Sequence, residues 1–159
     1  MAKTAIPGEF HYHGCTALLD NVQAAVLDIK LRHSPQWIEY RRQIAMLYRQ
    51  GLQEMKEITL PHFEGHEYQD SYQNYVIRAR DRDALHMYLK DEGVETLISF
   101  SRPLWSHTAL ELGDLRLPMS EQLCHEVISL PMSAETTSEE VEITVQTIRA
   151  FYNKPNRSI

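Results

Sequence analysis

Cysteine is almost absent: the 159 residues hold two, Cys15 and Cys124, far apart and without a CxxC spacing. Such usage supplies no disulfide framework and fits a reduced, cytoplasmic setting. Long apolar runs are missing as well. No stretch approaches the roughly 18 apolar residues of a membrane span, and Met1-Ala2-Lys3-Thr4-Ala5-Ile6-Pro7-Gly8 lacks the apolar segment of a secretory leader. No membrane partner is expected. Lys and Arg number 16 against 22 Asp and Glu, for a formal charge of −6, and they form no stripe. That balance argues against a nucleic-acid partner. GxSxG, GxGxxG and GxxxxGK[ST] strings are absent, which removes the commonest sequence grounds for a serine hydrolase, a dinucleotide binder or a P-loop enzyme. His11 with His13, and His62 with His66, have spacings that a metal could use, but carboxylate or cysteine partners at matching spacing are missing, so no metal is expected. Cys124 and His125 are adjacent in a helical stretch. Their side chains therefore diverge by about 100°, too far for a nucleophile–base couple.

What is present is periodicity of two kinds. Residues 1–15, with Pro7, Gly8 and Gly14, read as an irregular segment. Leu18, Val22, Ala25, Val26 and Ile29 then recur at three- and four-residue steps and predict a helix with one buried face, which Ser34-Pro35 should stop. Ser34 can cap a second helix with Pro35 at its first position, running through Trp37, Ile44, Ala45 and Tyr48 to about Met55. Glu57–Leu60 reads as a short strand ended by Pro61, and His62–Ser71 as a polar loop. Tyr72–Ala79 is a strand by its Tyr75-Val76-Ile77 run. Asp81 should cap a helix over Arg82–Asp91 that Gly93 ends, and Val94–Phe100 should be the next strand. A loop of about twenty residues follows Arg102-Pro103. Helices are expected from Ser120 to Ile128, and from Thr137-Ser138-Glu139-Glu140 through Val141, Val145, Ile148 and Phe151, with residues 153–159 as a frayed tail. The class is α+β, a small sheet of about three strands with helices packed on it.

One cluster invites a chemical reading. Phe100-Ser101-Arg102-Pro103-Leu104-Trp105-Ser106-His107 gathers two aromatic rings, a guanidinium and an imidazole just beyond a strand end. Rings stack on a sugar's apolar face, while Arg and His hydrogen-bond to hydroxyls or phosphate. A packed loop with one exposed Arg is the other reading. Composition leaves both open.

Four separated strings carry a family resemblance. Leu19-Asp20-Asn21-Val22-Gln23-Ala24-Ala25-Val26-Leu27, followed by a helix with Arg41-Arg42, resembles the LDxLQAA and RR helices of the DegT/StrS-type nucleotide-sugar aminotransferases. Tyr75-Val76-Ile77-Arg78, Arg82-Asp83-Ala84-Leu85 and Gly93-Val94-Glu95-Thr96 are similar to that family's YVIR strand, RDxL helix and GIxT strand. Pro103-Leu104 with His107-Thr108-Ala109-Leu110 resembles its substrate loop, and Ser129-Leu130-Pro131-Met132 its SLPM turn. The likeness covers roughly residues 10–152 in order.

The resemblance implies the antiparallel small domain of a fold-type I pyridoxal-phosphate (PLP) enzyme, here residues 16–152. It implies amino transfer to a nucleotide-linked keto-sugar, in polysaccharide or secondary-metabolite sugar biosynthesis, by a cytoplasmic dimer. PLP chemistry needs a lysine for the Schiff base and an Asp for the pyridine nitrogen. In the family both belong to the large domain, upstream of the matched strings, and none of Lys3, Lys30, Lys56, Lys90 or Lys154 matches the lysine motif. The expectation is therefore a small domain that binds no PLP covalently and does not transaminate alone. Its partners would be a large-domain chain or a second copy, with a nucleotide-sugar as ligand. A nucleotide-sugar-binding or dimerisation module, or half of a split aminotransferase, are the alternatives. Where the family has G-Y-N-S-R, this sequence has Gly14-Cys15-Thr16-Ala17-Leu18. Thr16 could then offer a hydroxyl to the PLP phosphate of the partner subunit, but Leu18 cannot replace the arginine. The family's PLH histidine falls at Trp105, leaving His107 as the nearest imidazole. Arg102, Trp105 and His107 are thus the expected substrate contacts.

Overall fold

The structure, a computed structural model, describes residues 19–62, 70–106 and 115–154. The chain divides into two units, Met1–Ser34 and Pro35–Ile159. The first helix, α1, runs Asn21–Leu52 with Pro35 inside it. The expected break at Ser34-Pro35 is thus absent. A proline forfeits its own amide donor and crowds the preceding turn, a local cost that the helix bears without ending. The face expected to be buried before it is also not buried, since Val22, Val26 and Ile29 are exposed. Beyond the proline, Ile44, Ala45, Tyr48 and Leu52 follow at steps of one, three and four residues and are buried.

Three strands form an antiparallel sheet in the order β1 (Ile58–Thr59), β2 (Tyr75–Ala79), β3 (Val127–Leu130). In β2 the alternation is plain: Tyr75, Ile77 and Ala79 are buried on one face, while Val76 and Arg78 point the other way. Tyr75 faces Leu130 and Ile77 faces Ile128, so their side chains meet on the core side. β3 itself is a correction. The expected helix from Ser120 to Ile128 is α3 (Pro118–Glu126), and its last expected residues open β3 instead. Val127 and Ile128 are β-branched, and Ile128 and Leu130 complete the core only as a strand. The strand expected over 94–100 shrinks to a single antiparallel bridge between Leu97 and Ser129, with main-chain bonds of 3.1 and 2.9 Å.

Helix α2 (Arg82–Asp91) places Leu85 and Leu89 in the core. Asp81 precedes it in a left-handed conformation (φ 54°) and makes no side-chain cap, contrary to expectation. In that conformation its carboxylate does not reach back to the first amides. The other end is as expected. Gly93 takes φ +82°, and the amides of Gly93 and Val94 donate to Lys90 O and Leu89 O at 3.1 and 2.8 Å, the paired closure that a left-handed glycine permits. Helix α4 (Ser138–Asn153) begins with a capping box: Glu140 N–H donates to Thr137 Oγ1 at 3.2 Å and Thr137 N–H to Glu140 Oε2 at 2.8 Å. Its stripe of Val141, Val145, Ile148 and Phe151 closes the core, each such burial stabilising by about 1.5–3 kcal/mol.

Polar ties fix these layers. Tyr48 hydroxyl donates to Pro131 O at 2.9 Å and Tyr40 hydroxyl to Thr136 O at 2.8 Å, joining α1 to the turn before α4. Tyr48 stacks on Tyr75 with centroids 5.0 Å apart. Burial pushes the Tyr48 phenol up to about 12, with the neighbouring Thr144 hydroxyl opposing, and it raises Tyr75 and Tyr72 as well. Arg82, 2% exposed along its side chain, donates to Cys124 O at 2.7 Å, Val127 O at 2.8 Å and Asp83 at 2.7 Å. It thereby fastens α2 to the α3–β3 junction. No helix among the described residues is long and apolar enough to cross a membrane.

Candidate functional site

The sheet has one face on the core, and its outer face carries a groove. Because residues opposite one another in an antiparallel ladder project to the same side, the pairings Val76–Ser129 and Leu97–Ser129 set Val76, Ser129 and Leu97 in a row across that face. They form the floor of a concavity of about 430 Å³. α3 supplies one wall through Leu123 and Cys124, and the segment 99–105 supplies the other. Within that segment Leu104–Ser106 is a single 3-10 turn, closed by Ser106 N–H and Oγ donating to Pro103 O at 3.0 and 2.7 Å.

This geometry sorts the expected contacts. Trp105 is only 7% exposed, so it is packed into the wall that segment 99–105 forms and has little ring face left for a ligand. The open ring is Phe100, 68% exposed, with Leu104 beside it at 67%. Sequence reasoning counted Phe100 among the rings that could stack on a sugar but left it out of the expected substrate contacts. Arg102 lies exposed at the groove, with no hydrogen-bond or ion-pair partner among the described residues. Its guanidinium is free to meet an anionic group. His107 and Thr16 lie outside the described residues, as do Cys15, His11, His13 and His66. Val76 and Leu97 could be found only from strand register, which no local motif reveals.

A second, polar groove of about 650 Å³ lies at the start of α2. Arg78 pairs with Glu126 at 2.6 Å, Arg80 with Asp81 at 3.8 Å and Arg82 with Asp83 at 2.7 Å, so each of its three guanidinium groups faces a carboxylate, and Glu57 adds a fourth acid. The Gln122 amide and then Arg78 hold the Glu126 carboxyl below the usual range. His125 lines this groove while Cys124 lines the other, so the divergence expected of the adjacent pair is present. No group of three or more His, Cys, Asp or Glu side chains among the described residues could hold a metal ion.

The sequence profile of the DegT/DnrJ/EryC1/StrS aminotransferase family matches residues 4–149. The chain belongs to that family. It is 38% identical over 143 residues to the erythromycin biosynthesis sensory transduction protein EryC1 of Saccharopolyspora erythraea, covering 86% of this chain and 38% of that one. It is 33% identical over 143 residues to dTDP-3-amino-3,6-dideoxy-alpha-D-galactopyranose transaminase of Aneurinibacillus thermoaerophilus, covering 88% and 38%. The crystal structure of a DegT DnrJ EryC1 StrS aminotransferase from Brucella abortus superposes with a TM-score of 0.78 at 29% identity, over 92% of this chain and 40% of that one. The chain thus spans about 38% of the length of these curated relatives, and the α+β architecture is that of aminotransferase structures.

The family's cofactor is PLP, and the outer-face groove is the place to test its fit. Neither a lysine nor a carboxylate lines it among the described residues. Lys154, at the far end of α4, sits 4.1 Å over the Tyr88 ring instead. An apolar floor with one guanidinium has no amine for a Schiff base and no acid for a pyridine nitrogen. The described lining of this groove does not fit PLP.

Proposed function

We propose that residues 16–152 act as the small domain of a cytoplasmic sugar aminotransferase and bind a nucleotide-linked sugar at the outer face of the sheet without transaminating alone. The observation that carries the reading is an open aromatic ring and a guanidinium that, among the described residues, has no partner and stands beside a groove with no lysine. Arg102 takes the anionic diphosphate, Phe100 and Leu104 border the sugar, and Trp105 packs into the groove wall, with His107 and Thr16 as further contacts to ligand and to a partner's PLP phosphate. The lysine would come from a large domain, whether in a longer chain or a separate one. Mixing the protein with PLP tests the first half: no visible aldimine band should form, and a borohydride-fixed adduct at one specific lysine would refute it. Calorimetry with nucleotide-sugars tests the second. Heat of binding that is lost in Arg102→Ala supports it; no heat with any of them refutes it.

A second reading, self-association or docking on a large domain, has its own support. Val22, Val26 and Ile29 recur on one side of α1 and are exposed. Light scattering across concentrations checks it, and a monomer at every concentration counts against the second copy.

A further inference from the structure

We infer that Ser129 is the orienting contact of the outer-face groove: its hydroxyl takes one neutral polar group on the sugar portion of a ligand whose charged end Arg102 holds. The inference rests on the reading of this groove as a nucleotide-sugar site. Apart from tyrosine and cysteine, the buried polar side chains among the described residues are Arg82, Ser129, Thr136 and Thr144. Arg82 donates to Cys124 O and Val127 O. The Thr136 hydroxyl accepts from Ser133 N–H at 2.9 Å, and the Thr144 hydroxyl donates to Glu140 O at 2.7 Å. Ser129, 7% exposed, is the one of the four whose side chain has no hydrogen bond among the described residues.

Strand register shows where that hydroxyl points. Ser129 N–H donates to Leu97 O at 2.9 Å and Leu97 N–H to Ser129 O at 3.1 Å, so both main-chain groups of Ser129 are engaged on that side. Its pairing with Val76 is then of the non-hydrogen-bonded kind, which brings the two side chains close together. Ile128 and Leu130 belong to the core, so Ser129 projects to the opposite face, into the groove floor between Val76 and Leu97. Among the described residues the sealed, unbonded polar side-chain atom is Arg41 Nε, so Ser129 Oγ stays reachable from the groove. An unused hydroxyl with aliphatic neighbours rewards a ligand group that bonds to it and penalises a ligand that brings none. It both donates and accepts, which suits a neutral hydroxyl, carbonyl or amide, whereas the Arg102 guanidinium only donates and carries a full charge. Two unlike anchors, one on the floor and one on the wall, fix which way round a ligand lies.

The test is Ser129→Ala, which empties no core position and breaks no internal bond. Thermal unfolding compares the ligand-free proteins, and calorimetry titrates each with thymidine diphosphate and with its glucose conjugate. The ligand-free variant should be at least as stable as the wild type. Its affinity for the conjugate should fall by roughly five- to tenfold, the scale of one hydrogen bond, while its affinity for thymidine diphosphate stays unchanged. A less stable ligand-free variant would mean that the hydroxyl serves the fold, and would overturn the inference. An unchanged affinity for the conjugate, or an equal loss for both probes, would overturn the role of Ser129 and leave nucleotide-sugar binding standing. If the conjugate does not bind the wild type, this inference and the proposed function fall together.

Discussion

Replacing Tyr48 by Phe removes one hydroxyl and leaves the stacked ring in place, so its consequences can be worked out at two pH values. The hydroxyl donates to Pro131 O at 2.9 Å, and without it that carbonyl loses its partner, which costs about 1–2 kcal/mol at pH 7. The same hydroxyl ionises at 10.0 in an unstructured chain and at about 12 in the fold, chiefly because burial disfavours the phenolate. A folded-state value above the unfolded one means that the fold holds the proton more tightly. The contribution is complete below pH 10 and is lost as pH rises through about 12. At pH 11 the wild-type protein has therefore lost about 1.4 kcal/mol through this group, a loss that the Phe variant does not suffer. Tyr72 and Tyr75 remain in both proteins, so their alkaline losses largely cancel in the difference. Urea unfolding followed by circular dichroism at pH 7 and pH 11 measures it. The wild type should be more stable at pH 7, and the gap should close to near zero at pH 11. A gap that stays constant or widens would refute the reasoning.

Two further substitutions probe the packing. Gly51→Ala would put its Cβ 2.8 Å from both methyl carbons of Val145, a clash costing about 1–3 kcal/mol, and Val145→Ala in the same chain should recover much of it in a double-mutant cycle. Arg82→Met keeps the stem and deprives Cys124 O and Val127 O of their donors, so stability should fall by about 3 kcal/mol, with amide exchange at Ile128 and Ser129 faster than in α4; uniform acceleration would argue against a local fastening.

Legibility followed the range of the forces. α4 and the closure of α2 at Gly93 are local matters, with caps and glycine conformation written within a few residues, and both stand where the sequence placed them. β3 was not legible as a strand. Four apolar-rich residues between a helix and a proline suit either structure, and only the distant partners Tyr75 and Ile77 decide. The face of Val22, Val26 and Ile29 was legible as amphipathic and was wrongly expected to be buried, since periodicity names a face without naming its cover. At the site, the sequence identified Arg102 and Trp105 as neighbours, but exposure reversed their prominence in favour of Phe100. The floor came from register, which joins residues 76, 97 and 129 and leaves no trace in any one stretch.

α3 ends at Glu126 and β3 begins at Val127, with no residue between them. Such a splice has no slack. One inserted or deleted residue would act on side chains as a frameshift acts on codons, sending Ile128 and Leu130 to the groove and Val127 and Ser129 to the core. Core and groove are thus two readings of one strand in opposite phase. Chemistry at the groove can drift by substitution, while the length of this junction is locked by the core on its reverse side.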